Sequence, residues 1–373
     1  MSSLIIAGDT SGTITLQAPA AAGSNVLSLP AETGTVLTSV SPAVVLPGSL
    51  SVAGLITGST NYTGFKNRLI NGDMRHAQYA ASAAVVAGTT VPTSLSGYPC
   101  VDRWFVYCTG ANVAAAQIAG AGAIQNQLQI TGAASVTAIG VGQRIESNNV
   151  YDLAGSTCTL SVDLANSLLT TVTWTASYAT TTADIFGTIG TPTKTQIATG
   201  TFTVSASLTN YQTSFVMPAA AIKGVEILFT VGAQTSGTWT LGRVQFEKGA
   251  VKTDYDIRDI GRELIMCQRY NLLFGGNISG TTYGLTGLFT TTSGGLLLAS
   301  LPVALRGVPA LFTSGSGTLT SATVSSTITG INLSGYGGYN ATFTVTGTGT
   351  PYTANHPALA TFTNNLRLMI EIP

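Results

Sequence analysis

Residues 171–178 read TVTWTASY. Val172, Trp174, Ala176 and Tyr178 fall on one side of this run, and Thr171, Thr173, Thr175 and Ser177 on the other. Strict alternation with a period of two marks a half-buried β-strand, because successive side chains leave opposite faces of the pleat. CTLSVDL (residues 158–164) repeats the pattern, setting Leu160, Val162 and Leu164 against Thr159, Ser161 and Asp163. EILFT and TWTLGRVQF follow at residues 226–230 and 238–246; in the second the alternation changes phase at Gly242, which predicts a β-bulge there. Strands at this spacing predict a sandwich or jelly roll over residues 65–257.

Composition agrees with an all-β chain. Of 373 residues, 45% are hydrophobic and 8% charged, with 43 Gly and 58 Thr. So apolar a chain is not disordered, while Thr, Val, Ile and Tyr favour strands and Gly supplies turns. The net charge is zero and no basic run occurs, which excludes an electrostatic footprint for nucleic acid or an anionic membrane. No apolar run reaches the roughly 18 to 20 residues of a membrane helix, and the start, MSSLIIAGDTSG, lacks the basic residues of a secretory signal. These features predict a chain made soluble in the cytoplasm, without membrane insertion. A soluble monomer normally carries more surface charge, roughly 25–35% in designed surfaces, so the composition predicts a homo-oligomer. Cys100, Cys108, Cys158 and Cys267 lack CxxC spacing and read as reduced core thiols, with no metal site and no cofactor.

The charge that exists is concentrated. Eleven of the 27 residues from Arg243 to Arg269 are charged, against two in the first 65 residues and three (Arg306, Arg367, Glu371) after Arg269. Within it, KTDYDIRDIGRELIMCQRY (residues 252–270) carries Ile260, Leu264 and Cys267 at i, i+4 and i+7, one face of a short helix. Asp256 or Asp259 would cap its start, and Arg269 suits its end. A helix over residues 258–270 between two β domains predicts ion pairs at a domain junction. Asp254, Asp256, Asp259 and Glu263 could alternatively be read as a catalytic or metal cluster.

Residues 1–40 contain four short strands, SLIIA, TITLQ, NVLSLP and TGTVLT, the first two joined by a GDTSG turn. They are too short to hold a core alone and need a larger body or other chains. Residues 41–64 read as a linker. Residues 271–373 return to strands and form a C-terminal β domain. Its last strand, LRLMIEI, alternates Leu366, Leu368, Ile370 and Ile372 with Arg367, Met369 and Glu371.

Three motifs, in order, resemble the fibre and adhesin-like structural proteins of tailed bacteriophages. GDTSGTITLQAPAAAGSNVLSLPAETGTVLTS (residues 8–39) is similar to a repeat unit at the start of tail-fibre chains. FKNRLINGDMRHAQYA, followed by VDRWF and VGQRIES, resembles the opening of a carbohydrate-binding-like jelly-roll module of such fibres. VQFEKGAVKTDYDIRDIGRELIMCQRYN (residues 244–271) resembles that module's exit. The resemblance implies a virion structural protein, a homotrimer attached to other virion proteins through residues 1–40 and adsorbing to host surface polysaccharide. Only about 60 residues precede the jelly roll, so a head fibre or decoration protein is the alternative, with a polysaccharide-depolymerising tailspike less favoured.

Sugar recognition uses aromatic faces with amides and carboxylates nearby. Trp104, Trp174 and Trp239 lie in apolar strands and read as core. The loops SGYGGYN and TPYTANHP set Tyr336, Tyr339, Tyr352 and His356 among Gly, Thr and Asn, and these four are the candidate glycan-binding residues. No catalytic residues are expected. The chain has no HExxH, GxSxG or Cys-His signature, and Asp102, Glu146, Asp152 and Asp163 show no pairing motif of the kind glycoside hydrolysis needs.

Overall fold

The computed structural model describes residues 3–7, 13–17, 65–78, 80, 82–88, 97–120, 126–168, 171–274, 282–313, 317–349, 352–363 and 366–373. The chain divides into two compact units, Met1–Thr57 and Gly58–Pro373. In the first, Ser3–Ala7 pairs antiparallel with Thr13–Gln17, Ser3 opposite Gln17 and Ala7 opposite Thr13. The GDTSG turn, the NVLSLP and TGTVLT runs and the linker lie outside the described residues.

The second unit opens with a two-sheet jelly roll. One sheet has five strands in the order Lys194–Thr203, Thr171–Ala179, Val225–Val231, Ala138–Ile145, Phe105–Thr109. The other has six, in the order Thr209–Val216, Thr157–Asn166, Thr238–Lys248, Asn126–Thr131, Val113–Ala119, Ser82–Val85. The alternating residues meet between the sheets as expected: Val172, Trp174 and Ala176 from one, and Leu160, Val162 and Leu164 from the other, are buried in one core. Trp104, Trp174 and Trp239 are all core residues. Trp174 stacks on Phe215 at 5.5 Å between centroids, and Phe215 on Phe246 at 5.8 Å, so aromatic contact runs from sheet to sheet. On the outer face of the five-stranded sheet Gly142 leaves room for the Phe105 ring; a Cβ there would stand 2.5 Å from its Cζ.

The threonines answer how so uncharged a chain keeps a wet surface. Thr175 and Thr199 share a hydroxyl hydrogen bond at 3.1 Å across neighbouring strands, and Thr180 and Thr195 one at 2.8 Å. The four cysteines are buried and unpaired, and burial pushes the Cys100 and Cys158 thiols up to about 12.

After the jelly roll comes the helix Ile260–Gln268. Asp259 caps it, its Oδ1 accepting from the amides of Gly261 (3.0 Å) and Arg262 (3.1 Å). The buried face differs from the apolar reading. Cys267 is buried and Leu264 half-buried as expected, but Ile260 is exposed and Glu263 is buried in its place. The cause is electrostatic: the Glu263 carboxylate accepts from Arg258 Nη1 at 3.2 Å and from the Asn71 amide, so this pairing rather than Ile260 sets the helix rotation.

The C-terminal part has two pieces. Thr282–Phe289, Gly294–Ser300, Asn340–Gly347, Ser325–Tyr336, Gly317–Thr320 and Pro357–Thr363 close into a six-stranded barrel in that order. Asn271–Phe274, Leu366–Met369 and Ala310–Thr313 form a three-stranded sheet with Leu366–Met369 in the middle. The final strand is buried on both faces rather than one. Leu366 and Leu368 join the barrel core, while Met369 packs with Tyr98 and Phe105 of the jelly roll. Its polar side goes inward because partners wait there: Glu371 pairs with Arg103, whose guanidinium also lies 3.5 Å from the Tyr270 ring centroid.

The charged segment is therefore a junction. Lys66 and Asn67 donate backbone amides to Asp256, and Arg258 Nη1 donates to the Leu69 carbonyl at 3.0 Å, so the jelly roll's entry and exit are tied together. Asn71 holds the turn of the entry segment, donating from Nδ2 to the carbonyls of His76 and Asp102, while its own carbonyl accepts the Trp104 indole N–H at 2.9 Å. Arg144 crosses from the jelly roll to the chain's end. It pairs with Glu226 at 2.7 Å and donates to the Ile372 carbonyl at 3.1 Å.

Two measurements probe this junction. Arg144→Met leaves the buried Glu226 with Lys194 as its charged partner and should destabilise the chain by about 3 kcal/mol in denaturant unfolding, with Glu226→Leu on top recovering part of the loss. Burial lowers the pKa of His76 and raises those of Asp73 and Asp102. Below the ordinary histidine range, around pH 6.5, the unfolded state protonates before folded His76 does, so stability falls with falling pH across that window. The two carboxyls act oppositely, losing stability as pH rises from the ordinary carboxylate range to their raised folded values. The histidine contribution is thus read from the difference between parent and His76→Gln, which should be constant above the histidine range and shift against the parent as pH drops below it.

Candidate functional site

The bulge predicted at Gly242 is present. Pairing between Thr157–Asn166 and Thr238–Lys248 shifts register between Gly242 and Gln245. Leu241 and Val244 both point into the core, so Gly242 and Arg243 together take the outward position. Arg243 adopts φ 40°, a left-handed conformation that a residue with a Cβ enters at a cost. Its side chain runs over the outer face of the six-stranded sheet, where Nε meets Asp163 Oδ2 at 2.5 Å. Asp163 Oδ1 accepts from Asn210 Nδ2 at 2.8 Å. The carboxylate is buried and the guanidinium about one third exposed, at 2% and 35%, so Asp163 anchors the arginine from below.

Register extends the cluster into a shelf. Asn210 and Gly242 lie opposite Asp163 on its two neighbouring strands, and Gln212 and Gln245 lie opposite Ser161. Gln129 lies opposite Thr240, and their side chains are 3.4 Å apart, Nε2 to Oγ1. Gln127 covers Gly242, where a Cβ would approach its Cγ to 3.2 Å. Past the glutamines the outward residues become small and apolar. Ile118 stands opposite Gln127, Ala116 opposite Gln129, and Ser82 and Ala84 opposite Ala116 and Ala114. The face thus joins one neutralised ion pair, five amides, of which Gln127 and Gln245 are buried, and a low apolar margin. Such a surface can donate and accept hydrogen bonds at fixed spacing while seating an apolar ring face beside them.

The second carboxylate of this sheet face is occupied. Glu247 accepts from Gln245 Nε2 at 2.9 Å and from the Thr253 amide at 2.9 Å, beneath the returning chain. Among the described residues no group of three or more His, Cys, Asp and Glu side chains could hold a metal ion. A cavity of about 210 Å³ beside Phe312 and Met369 is lined by apolar side chains and Glu371, and Glu371 is already paired with Arg103.

The four aromatic and histidine candidates are not brought together. Tyr336 and Tyr339 sit by the turn where Ser300 pairs with Asn340. Tyr352 and His356 belong to the opposite end of the barrel, where the Tyr352 amide donates to Thr292 and Pro357 pairs with Leu288. Tyr352 is moreover buried rather than on the loop surface. Its ring stacks on Phe289 at 4.0 Å and its hydroxyl donates to the Leu319 carbonyl at 2.6 Å. Tyr336 is half-buried and donates to the Leu305 carbonyl at 3.1 Å. Tyr339 and His356 are exposed, at the two separate ends. Sequence reasoning missed the shelf, although its signals were legible: Asp163 on the outward side of CTLSVDL, the phase change at Gly242, and Gln127 and Gln129 alternating with Leu128 and Ile130.

No protein-family model matches this chain, and no curated protein matches it. Solved structures do. A CBM4 module is 16% identical with a TM-score of 0.32, the match covering 48% of this chain and 97% of that one. The family 11 carbohydrate-binding module from Clostridium thermocellum is 13% identical with a TM-score of 0.28, covering 43% and 97%. The enzymatically active domain of Bacteriophage CBA120 tailspike protein 4 is 15% identical with a TM-score of 0.29, covering 49% of this chain but 21% of that one. At such identities and scores, a functional assignment must come from this chain's own side chains.

Replacing Arg243 by Gly suits the backbone at φ 40° but strands Asp163, and should cost roughly 1–3 kcal/mol in denaturant unfolding. The pair Arg243→Gly with Asp163→Asn should return to within about 1 kcal/mol of the parent.

Proposed function

We propose that this chain is a homo-oligomeric structural subunit of a bacteriophage virion fibre whose jelly roll binds host surface glycans on the Arg243 shelf. The observation that carries the glycan part is the strained bulge, which aims Arg243 across a face of amides with a buried carboxylate beneath it. Arginine and amide forks match vicinal hydroxyls, and the margin formed by Ala84, Ala114, Ala116 and Ile118 suits the apolar face of a pyranose. The virion part is supported by the ordered motifs at residues 8–39, 65–80 and 244–271. In this reading residues 1–40 join the chain to other virion proteins, and assembly takes place in the host cytoplasm.

The reading is one of binding rather than catalysis. Glycoside hydrolysis uses two carboxyl groups of unlike protonation flanking one bond. On this face Asp163 is committed to Arg243 and Asn210, and Glu247 to Gln245 and Thr253. Both carboxylates are thus already engaged by neighbouring side chains and amides. Incubation with host polysaccharide is therefore expected to release no new reducing ends, and their release would overturn this part.

Purified chain should bind host polysaccharide or a glycan array and compete with phage adsorption. Arg243→Ala should weaken binding about 10- to 100-fold, as loss of a charged hydrogen-bonding group does. Tyr339→Ala and His356→Ala should leave it unchanged. Binding unaffected by Arg243→Ala would sink the shelf assignment, and loss with Tyr339→Ala or His356→Ala would move the site to the barrel.

A further inference from the structure

The barrel carries its own anomaly on its outer wall. Inward positions are filled as a core requires, by Leu285, Phe289, Leu297, Phe343, Ala360 and Phe362. Yet Leu288, Leu296, Leu298 and Leu359, which point outward, are 52%, 41%, 54% and 40% exposed. Register shows that they are not scattered. Thr286 lies opposite Leu298 on one side and Leu359 on the other, and Leu288 lies opposite Leu296 and Pro357. Two adjacent rows across three neighbouring strands are therefore Leu359, Thr286, Leu298 and Pro357, Leu288, Leu296. With strands about 4.8 Å apart, these side chains touch as one apolar patch. Leu359 also covers Gly284, where a Cβ would stand 3.0 Å from its Cδ1, which levels the patch at that edge.

The surroundings select the occupant. Interfaces with foreign proteins ordinarily take partner choice and register from charged rims. Here residues 271–365 contain a single Lys, Arg, Asp or Glu, namely Arg306, and it points inward to Glu146 at 3.0 Å and Asp184 at 3.4 Å. The rim next to the patch offers threonine hydroxyls instead, from Thr286, Thr342, Thr344 and Thr361. A partner must be equally uncharged, apolar at its centre and hydroxylated at its edge. A second copy of the same wall meets all three conditions, and a cyclic assembly brings like walls together about its axis.

We propose that the leucine wall of the barrel is the surface through which copies of this chain associate. This takes the homo-oligomer of the functional reading and gives it a face; it does not depend on the glycan shelf, which lies on the other domain.

The test is the mass of the full chain by light scattering over a dilution series. The parent should be a multimer. Leu298→Asp and, separately, Leu288→Asp should each weaken association at least tenfold, with unchanged far-ultraviolet circular dichroism because both side chains are more than half exposed in the subunit. Val216→Asp is the control, removing an equally exposed apolar side chain (65%) from the jelly roll, and should leave the mass unchanged. If either aspartate variant fails to fold, Leu298→Asn and Leu288→Asn supply the same reading. A monomeric parent would overturn both this surface and the homo-oligomer. A multimeric parent whose leucine variants stay multimeric would overturn the surface alone. Because each jelly roll keeps its shelf, monomeric leucine variants should bind glycan in the per-subunit assay, and failure of the Arg243 experiment would leave this inference untouched.

Discussion

The buried carboxylate of Glu263 is the contact on which the rest of the larger unit depends. It receives Arg258 from its own segment and the amide of Asn71 from the jelly roll's entry. A lone carboxylate at that depth would be prohibitively unfavourable, so its burial depends on the entry segment, the exit segment and the helix all being in place. Once they do, Arg258 reaches Leu69, Asp256 takes the amides of Lys66 and Asn67, and Asn71 positions Trp104 at the edge of the core. The same contacts thus close the jelly roll and attach the helix. The second β domain is held through the same neighbourhood, because Arg103 and Arg144 bind Glu371 and the Ile372 carbonyl.

This inverts the usual placement of charge. Arg103, Arg144, Arg258, Glu226 and Glu263 are all buried, while the strand surfaces are kept wet by paired threonine hydroxyls. Buried ion pairs contribute little net stability against well-packed apolar residues, but they tolerate few geometries. At a seam between a sandwich and a barrel, apolar surfaces alone would permit many angles, since hydrophobic attraction is non-directional. The ion pairs select one.

How much of this was legible follows from the same distinction. Alternation in TVTWTASY and CTLSVDL announced the strands and the core, and the phase change announced the bulge, because both are local consequences of the pleat. The cap at Asp259 was local too. What escaped was decided across the fold. Ile260 reads as the apolar face of a helix until Arg258 and Asn71 draw Glu263 inward. Arg367 and Glu371 read as the solvent side of a last strand until the jelly roll covers them. Tyr352 reads as a loop aromatic until Phe289 comes to lie against it. The shelf was missed because Gln127, Asp163, Asn210 and Arg243 come from four strands far apart in sequence, and only sheet order makes them neighbours.

The bulge joins these two themes. Inserting one residue between Gly242 and Gln245 sends Arg243 outward to the shelf and Val244 inward to the core. The backbone of Val244 also serves the junction: its amide donates to Gly72 and its carbonyl accepts from Asn67 Nδ2 at 2.8 Å. Gly72 has no room for a side chain, since a Cβ would meet the Val244 oxygen at 2.2 Å. One extra residue therefore positions the candidate ligand contact and closes the jelly roll onto its own entry. Moving the bulge along the strand would break the junction, so the placement of Arg243 is not free to vary. Substitution on this face is then freest at Gln212 on the edge strand and at Gln129, because Asn210 also holds Asp163 and Gln127 also covers Gly242. With its cation fixed by the bulge, the face can exchange its outer amides without altering the fold.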